Sequence, residues 1–185
     1  MEKRAPSRKP LYFIATLPPY MVREEVSAMK KEIARTWGPR HALKSPPHIT
    51  LIPPFRWPER DEDQLKEALY QFARHQQSFP VVLEDFGRFD KRVIYVRIRH
   101  NAALARLHYD LCAWLQKKIQ LPCKDRRPFR PHMTLAHRDL TEELFPKVWE
   151  AFAERRYQAH YTASHIALLK HNGKYWEIVA EYPLG

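Results

Sequence analysis

Two pentapeptides, Pro47-His48-Ile49-Thr50-Leu51 and Pro131-His132-Met133-Thr134-Leu135, repeat one pattern in this 185-residue chain. In a β-strand, residues two apart share a face. Each histidine therefore projects with its threonine, while Ile49 or Met133 enters the core. A single copy carries little weight, since most strand histidines are structural or solvated. Two copies in matching surroundings constrain the whole fold, because both strands must turn their polar faces to one shared space if the repeat is to act as a unit.

The elements around the two pentapeptides also repeat. Leu11 to Leu17 reads as a buried strand, and Pro18-Pro19 leads into a helix with Val22, Val26, Met29, Ile33 and Trp37 on one face. The first histidine strand spans His48 to Ile52 and is expected to stop at Pro53-Pro54. A second helix follows, with Leu65, Ala68, Leu69 and Phe72 inward. Phe79 to Phe86 and Arg92 to Arg99 read as antiparallel strands joined by a turn around Gly87 to Lys91. Leu104, Leu107, Leu111, Leu115 and Ile119 mark a third helix, and the basic loop Pro122 to Pro131 delivers the chain to the second histidine strand, His132 to Ala136. Leu144, Val148 and Phe152 mark a fourth helix, and strands near Tyr157 to Tyr161, His165 to Lys170 and Tyr175 to Tyr182 finish the chain. The element order reads as a duplication, although the halves share little sequence outside the histidine strands.

Composition limits the chemistry. Four glycines leave no room for a glycine-rich phosphate loop, and neither a His-Glu-x-x-His motif nor a paired Cys-x-x-Cys is present, so metallohydrolase chemistry is a poor fit. Lys and Arg number 32 against 21 Asp and Glu, a formal charge of +11, which favours polyanionic partners. Two cysteines are too few for a disulfide framework, and Cys112 falls within a predicted helix, which favours a reducing cytoplasm. The basic segment Met1 to Lys9 lacks the apolar stretch of a signal peptide, and no run is long enough to span a membrane.

A histidine exchanges protons near neutral pH, and a threonine hydroxyl donates to a phosphate oxygen. His48 and His132 are thus candidate acid and base, and Thr50 and Thr134 candidate phosphate contacts. Lys124, Arg126, Arg127 and Arg130 precede the second motif and are candidates to grip a phosphodiester backbone, or a solvated basic loop. Phe55, Trp57 and Tyr175 are candidates for stacking on a base, or for packing into the fold. His137 would face away from His132 on a regular strand, and Arg138 would share its face if the strand continued. His75, His100 and His160 are scattered and expected at the surface.

With these residues in view, the chain resembles the two-histidine (2H) phosphoesterase superfamily, and within it the RNA 2',3'-cyclic phosphodiesterase and 2'-5' RNA ligase family. The resemblance rests on Tyr12-Phe13-Ile14-Ala15, the first motif, Phe129 to Ala136, and Leu168-Leu169-Lys170 followed by Gly173-Lys174-Tyr175. Where many members carry arginine directly after the Leu-Ala of the second motif, this chain has His137 and then Arg138. The first motif runs into Ile52-Pro53-Pro54-Phe55 instead of Phe-Leu-Gly.

The resemblance implies an α+β fold spanning residues 1–185 as one domain, with two pseudo-symmetric lobes. Each lobe would be an antiparallel sheet with helices on its outer face, and the two would enclose a central cleft lined by both motifs. It also implies a catalytic role for His48 and His132, phosphate binding by Thr50 and Thr134, and no metal or other cofactor. Arg130, Arg138, Phe55 and Tyr175 remain as substrate-binding candidates. The expected activity is hydrolysis of an RNA-type 2',3'-cyclic phosphate or a related nucleotide diester, with reversible 2'-5' ligation as a side activity. Its partner would be an RNA end or nucleotide, with no membrane and no obligate protein. Two alternatives stay open: an RNA-binding module with little catalysis, and a phosphodiesterase for a small non-RNA metabolite.

Overall fold

The computed structural model describes residues 8–123 and 127–185; Met1 to Ser7, most of the basic N-terminal segment, and Lys124 and Arg126 lie outside them. Strand β1 (Leu11–Thr16) is followed by helix α1 (Tyr20–Trp37), whose Val22, Val26, Met29 and Ile33 are buried along one face, as their spacing of three and four requires. Gly38, at φ 100, ends the helix where a side chain would strain the backbone. A short 3-10 turn, His41–Lys44, leads to β2 (Ile49–Arg56). Helix α2 (Glu62–Ala73), strands β3 (Phe79–Phe89) and β4 (Val93–Ile98), and helix α3 (Ala102–Ile119) come next. Asn101 caps α3 by accepting the Leu104 N–H. Strand β5 (His132–Ala136), helix α4 (Phe145–Ala153) and strands β6 (Gln158–Ala163), β7 (His165–His171) and β8 (Trp176–Pro183) complete the chain.

The eight strands form two antiparallel sheets, ordered β2-β1-β7-β8 and β5-β4-β3-β6. The expected two-lobed α+β architecture is present. The lobes are nevertheless not the two sequence halves, because β3, which closes the first half, joins the second sheet, while β7 returns to pair with β1. Both histidine strands, β2 and β5, lie at sheet edges. Across the lobes, α1 touches β5 and α3 touches β2. One large core takes in both sheets and all four helices. A smaller apolar cluster, Phe13, Ala15, Ala167 and Leu169, sits on the opposite face of the first sheet.

Three local expectations are corrected. Strand β2 does not stop at Pro53-Pro54 but runs through to Arg56, with Phe55 opposite Tyr12. An edge strand needs partners on one side only, and the register breaks between Tyr12 and Ala15 absorb the missing donors. Gly87 is a strand residue rather than a turn residue; the chain reverses at Asp90 (φ 47), and aspartate is among the few non-glycine residues that visit this region readily.

The third concerns the cysteines. Helix α3 ends at Gln120 in a left-handed conformation (φ 57), and the chain turns back so that Cys123 joins Cys112 in a disulfide with Cα atoms 5.5 Å apart. With both cysteines in a disulfide, neither is the free thiol expected of a reducing compartment. Among the described residues, no helix is long and apolar enough to cross a membrane. The bridge closes a loop with a sequence separation of 11. A Cys112→Ser/Cys123→Ser variant should therefore lose about 2–3 kcal/mol in a chemical denaturation curve, and reduction of the native protein should cost the same.

Candidate active site

The alternation in the two pentapeptides is realised in space. Ile49, Leu51, Met133 and Leu135 are at most 1% exposed, whereas His48, Thr50, His132 and Thr134 are half-buried. Strands β2 and β5 touch, and a charge on His132 adds to the cost of protonating His48, so the two imidazoles sense one another.

Both rings are held in the same way. His48 Nδ1 lies 2.7 Å from the Pro46 carbonyl oxygen, and His132 Nδ1 lies 2.8 Å from the Arg130 carbonyl oxygen. A carbonyl only accepts, so Nδ1 carries the proton in both rings, and Nε2 is left as the nitrogen that can take or give one. The prolines at 47 and 131 explain the match. A residue before proline is pushed to extended backbone, and its carbonyl is then presented to the side chain two positions on. The sequence carries this tautomer-fixing pair only as a proline before each histidine, a signal that a search for reactive side chains passes over.

The surroundings of the two histidines differ. The His48 ring packs against Phe13 (centroids 4.7 Å), and Phe13 meets Trp176 edge-on at 4.7 Å. Burial, then the nearby Lys30 charge, pushes the His48 pKa down to about 3, against the opposing pull of the Pro46 carbonyl. Lys30 is itself buried, 3% exposed, and donates to the carbonyls of Ala42 (3.1 Å) and Ser45 (3.2 Å); burial lowers its pKa to about 7. His132 is framed by Phe89 (4.8 Å) and Tyr95 (5.3 Å), and burial lowers its pKa as well. Arg97 stands opposite His132 on the neighbouring strand, and Tyr95 stands opposite Thr134. These flanking residues escaped the sequence reading because their proximity depends on strand register.

The sequence-derived candidates scatter. Arg130 contributes its carbonyl, while its side chain is exposed. Strand β5 ends at Ala136, so strand parity does not govern His137 or Arg138, which has φ 40. The His137 ring meets His41 of the other lobe at 4.9 Å, and burial, followed by the His41 charge, lowers its pKa to about 4. Asp139 accepts from the backbone N–H groups of Arg40 and His41, both at 2.8 Å, and so pins the 3-10 turn to the end of β5. Phe55 stacks on Tyr12 in the large core, and Trp57 donates to the Asp61 carbonyl; both are packing residues. Tyr175, 45% exposed, lies at the turn between β7 and β8, where the Lys174 ammonium stands 5.0 Å from the centre of its ring. Arg127 is exposed. His75, His100 and His160 are exposed, as expected.

Gly87 lies opposite Tyr95, and a Cβ there would come within 2.6 Å of the Tyr95 ring. Gly87→Ala must displace Tyr95 from beside His132, and should cost about 1–3 kcal/mol in unfolding experiments and shift the His132 ring resonances. A pH titration tests the electrostatics. Because the His48 and His137 pKa values are depressed, neither ring should take up a proton between pH 8 and about 5, and the large NMR shifts of ring protonation should come only near pH 3–4. Between about pH 6.5 and those lower values the unfolded chain binds more protons than the folded one, so these histidines should make stability fall as pH drops through that range.

Comparisons with known proteins follow the same lines. The family model of the 2'-5' RNA ligase superfamily matches residues 18–174. A Geobacillus kaustophilus protein that carries a provisional phosphoesterase name is 30% identical over 143 residues, covering 75% of each chain. Escherichia coli LigT, crystallised with 3'-AMP, superposes with a TM-score of 0.70 at 19% identity, covering 96% of this chain and 99% of that one. The crystal structure of a Thermus thermophilus protein matches with a TM-score of 0.63 at 20% identity, covering 94% and 97%. By sequence and by fold, the chain belongs to the 2'-5' RNA ligase superfamily of two-histidine phosphoesterases.

Proposed function

We propose that this protein is a metal-independent phosphodiesterase that opens RNA-type 2',3'-cyclic phosphates or related nucleotide diesters, with reversible 2'-5' ligation as a side activity. The observation that carries this reading is the matched pair of Nδ1–carbonyl hydrogen bonds, which leaves one free Nε2 on each of two neighbouring imidazoles. Hydrolysis of a cyclic phosphate needs two proton transfers on opposite sides of phosphorus. One imidazole takes a proton from the attacking water as its oxygen bonds to phosphorus. The other gives a proton to the ribose oxygen as its bond to phosphorus breaks. Thr50 and Thr134 hydroxyls would donate to the nonbridging oxygens, where negative charge builds. LigT is recorded with 3'-AMP and with ATP, in keeping with a nucleotide substrate here.

By resemblance to the cyclic phosphodiesterases, His48 protonates the leaving oxygen and His132 activates water. The depressed His48 pKa suits that role in one respect. A buried imidazole resists protonation in the empty cleft, and the negative phosphate restores its basicity, so the acid is armed only when substrate is in place.

With both pKa values lowered in the free protein, the fraction carrying one proton grows as pH falls. The bell-shaped profile of kcat/KM should therefore peak on the acid side of about 6.5, while that of kcat, read in the substrate complex, should sit at higher pH. Turnover of 2',3'-cyclic nucleotides should persist in EDTA. Loss of turnover restored by a divalent ion would overturn the reading, and binding without turnover would favour an RNA-binding module. His48→Ala and His132→Ala should each lower kcat by about 10²–10⁴ on ribose cyclic phosphates. A nitrophenyl ester, whose leaving group needs little protonation, should rescue His48→Ala but not His132→Ala; the opposite pattern reverses the roles.

A further inference from the structure

Helix α1 carries charged residues on several faces. Glu25 accepts from the Tyr157 hydroxyl and Glu32 pairs with Arg155, so both acids are tied to the segment between α4 and β6. Lys31 and Arg35 of the same helix line a different face, while Arg23 donates to the Pro18 carbonyl. Between α1 and the 3-10 turn lie two cavities of about 270 and 490 Å³, which share Lys31 and Leu43. The larger adds Arg35 and Arg40, and the smaller adds Lys30, Lys44 and a single acid, Glu24. Lys31, Arg35 and Arg40 are exposed.

The smaller cavity ends beside the catalytic candidates. Its wall includes Pro46, whose carbonyl accepts from His48, and Trp176, which packs on Phe13, which in turn packs on His48. Tyr175 stands next to Trp176 on that wall, and the Lys174 ammonium lies 5.0 Å from the centre of its ring, adding a cation there. Lys30 donates to Ala42 and Ser45 and so holds the turn against α1, which keeps the groove in register with His48.

From this continuity we infer that the α1 groove carries the body of a single-stranded RNA whose reacting phosphate end lies between His48 and His132; the inference rests on the reading of that cleft as a phosphodiesterase site. Cations along a groove follow a phosphate backbone, and an aromatic wall at its inner end receives the base next to the reacting phosphate. The protein is then specific for oligonucleotide ends rather than mononucleotides. An acidic peptide would use the cations but gain nothing from the aromatic wall or from the proximity of His48.

The test measures binding apart from turnover. Fluorescence anisotropy with labelled oligoribonucleotides ending in a 3'-phosphate compares a mononucleotide, a dinucleotide and a tetranucleotide at low and high potassium chloride. The tetranucleotide should bind at least about tenfold tighter than the mononucleotide, with its log–log salt slope steeper by about 0.7 for each additional phosphate held. Lys31→Glu/Arg35→Glu, and independently Lys44→Gln on the opposite wall, should reduce that gain, with thermal melts checking that the variants are folded. No gain with length in the native protein, full retention of the gain in both variants, or displacement by polyglutamate as effective as by unlabelled RNA would overturn the inference. A length-dependent gain with no hydrolysis of any cyclic phosphate would leave the groove standing and remove the phosphodiesterase reading, whereas hydrolysis of mononucleotides with no gain from length would do the reverse.

Discussion

The structure depends on two strand edges meeting. Strands β2 and β5 are edges of their respective sheets, and they touch. Bare edges are vulnerable, and here each is braced from the other lobe: α1 packs on β5 and α3 on β2. From α3, His108 gives its Nδ1 proton to the Leu51 carbonyl of β2, at 2.8 Å, while its ring stacks on Phe129, ahead of β5, at 4.1 Å. Asp139 supplies a matching tie from the end of β5 to the turn before β2. The relative position of the two imidazoles is thus set by contacts that cross between lobes, not by either sheet alone.

Much of this was legible in the chain. The period of two in the pentapeptides placed Ile49, Leu51, Met133 and Leu135 in the core, and the period of 3.6 placed the buried faces of α1 and α3, because burial of apolar area dominates at those positions. What could not be read was whatever depends on a partner far along the chain. Gly87 looks like a turn residue until Tyr95 is known to lie across it. Pro53-Pro54 looks like a strand end until β2 is known to be an edge. Cys112 looks like a lone helical thiol until the reversal at Gln120 brings Cys123 back to it. Lys30 offers no sequence signal at all: a lysine among the buried positions of an amphipathic helix would pass as a solvated neighbour, and only the carbonyls of Ala42 and Ser45 make its burial tolerable.

The near-symmetry of the motifs does not extend to their electrostatics. His48 sits deep, beside Lys30 and within reach of His137, whereas His132 is shaped by aromatic neighbours and burial. The same histidine and threonine pair is therefore placed in two unlike environments, which set the two imidazoles apart in their readiness to take a proton. The division originates outside the motifs, in α1 and in the strands beside them.

The exchange of β3 and β7 between the sheets bears on what either part of the chain can form alone. Neither sequence half holds the strands needed to finish its own sheet, since the neighbour of β1 comes from the end of the chain and the neighbour of β4 from the end of the first half. A chain divided between β3 and β4 would leave each part short of a strand that only the other part supplies, so neither sheet is complete before both parts of the chain are present.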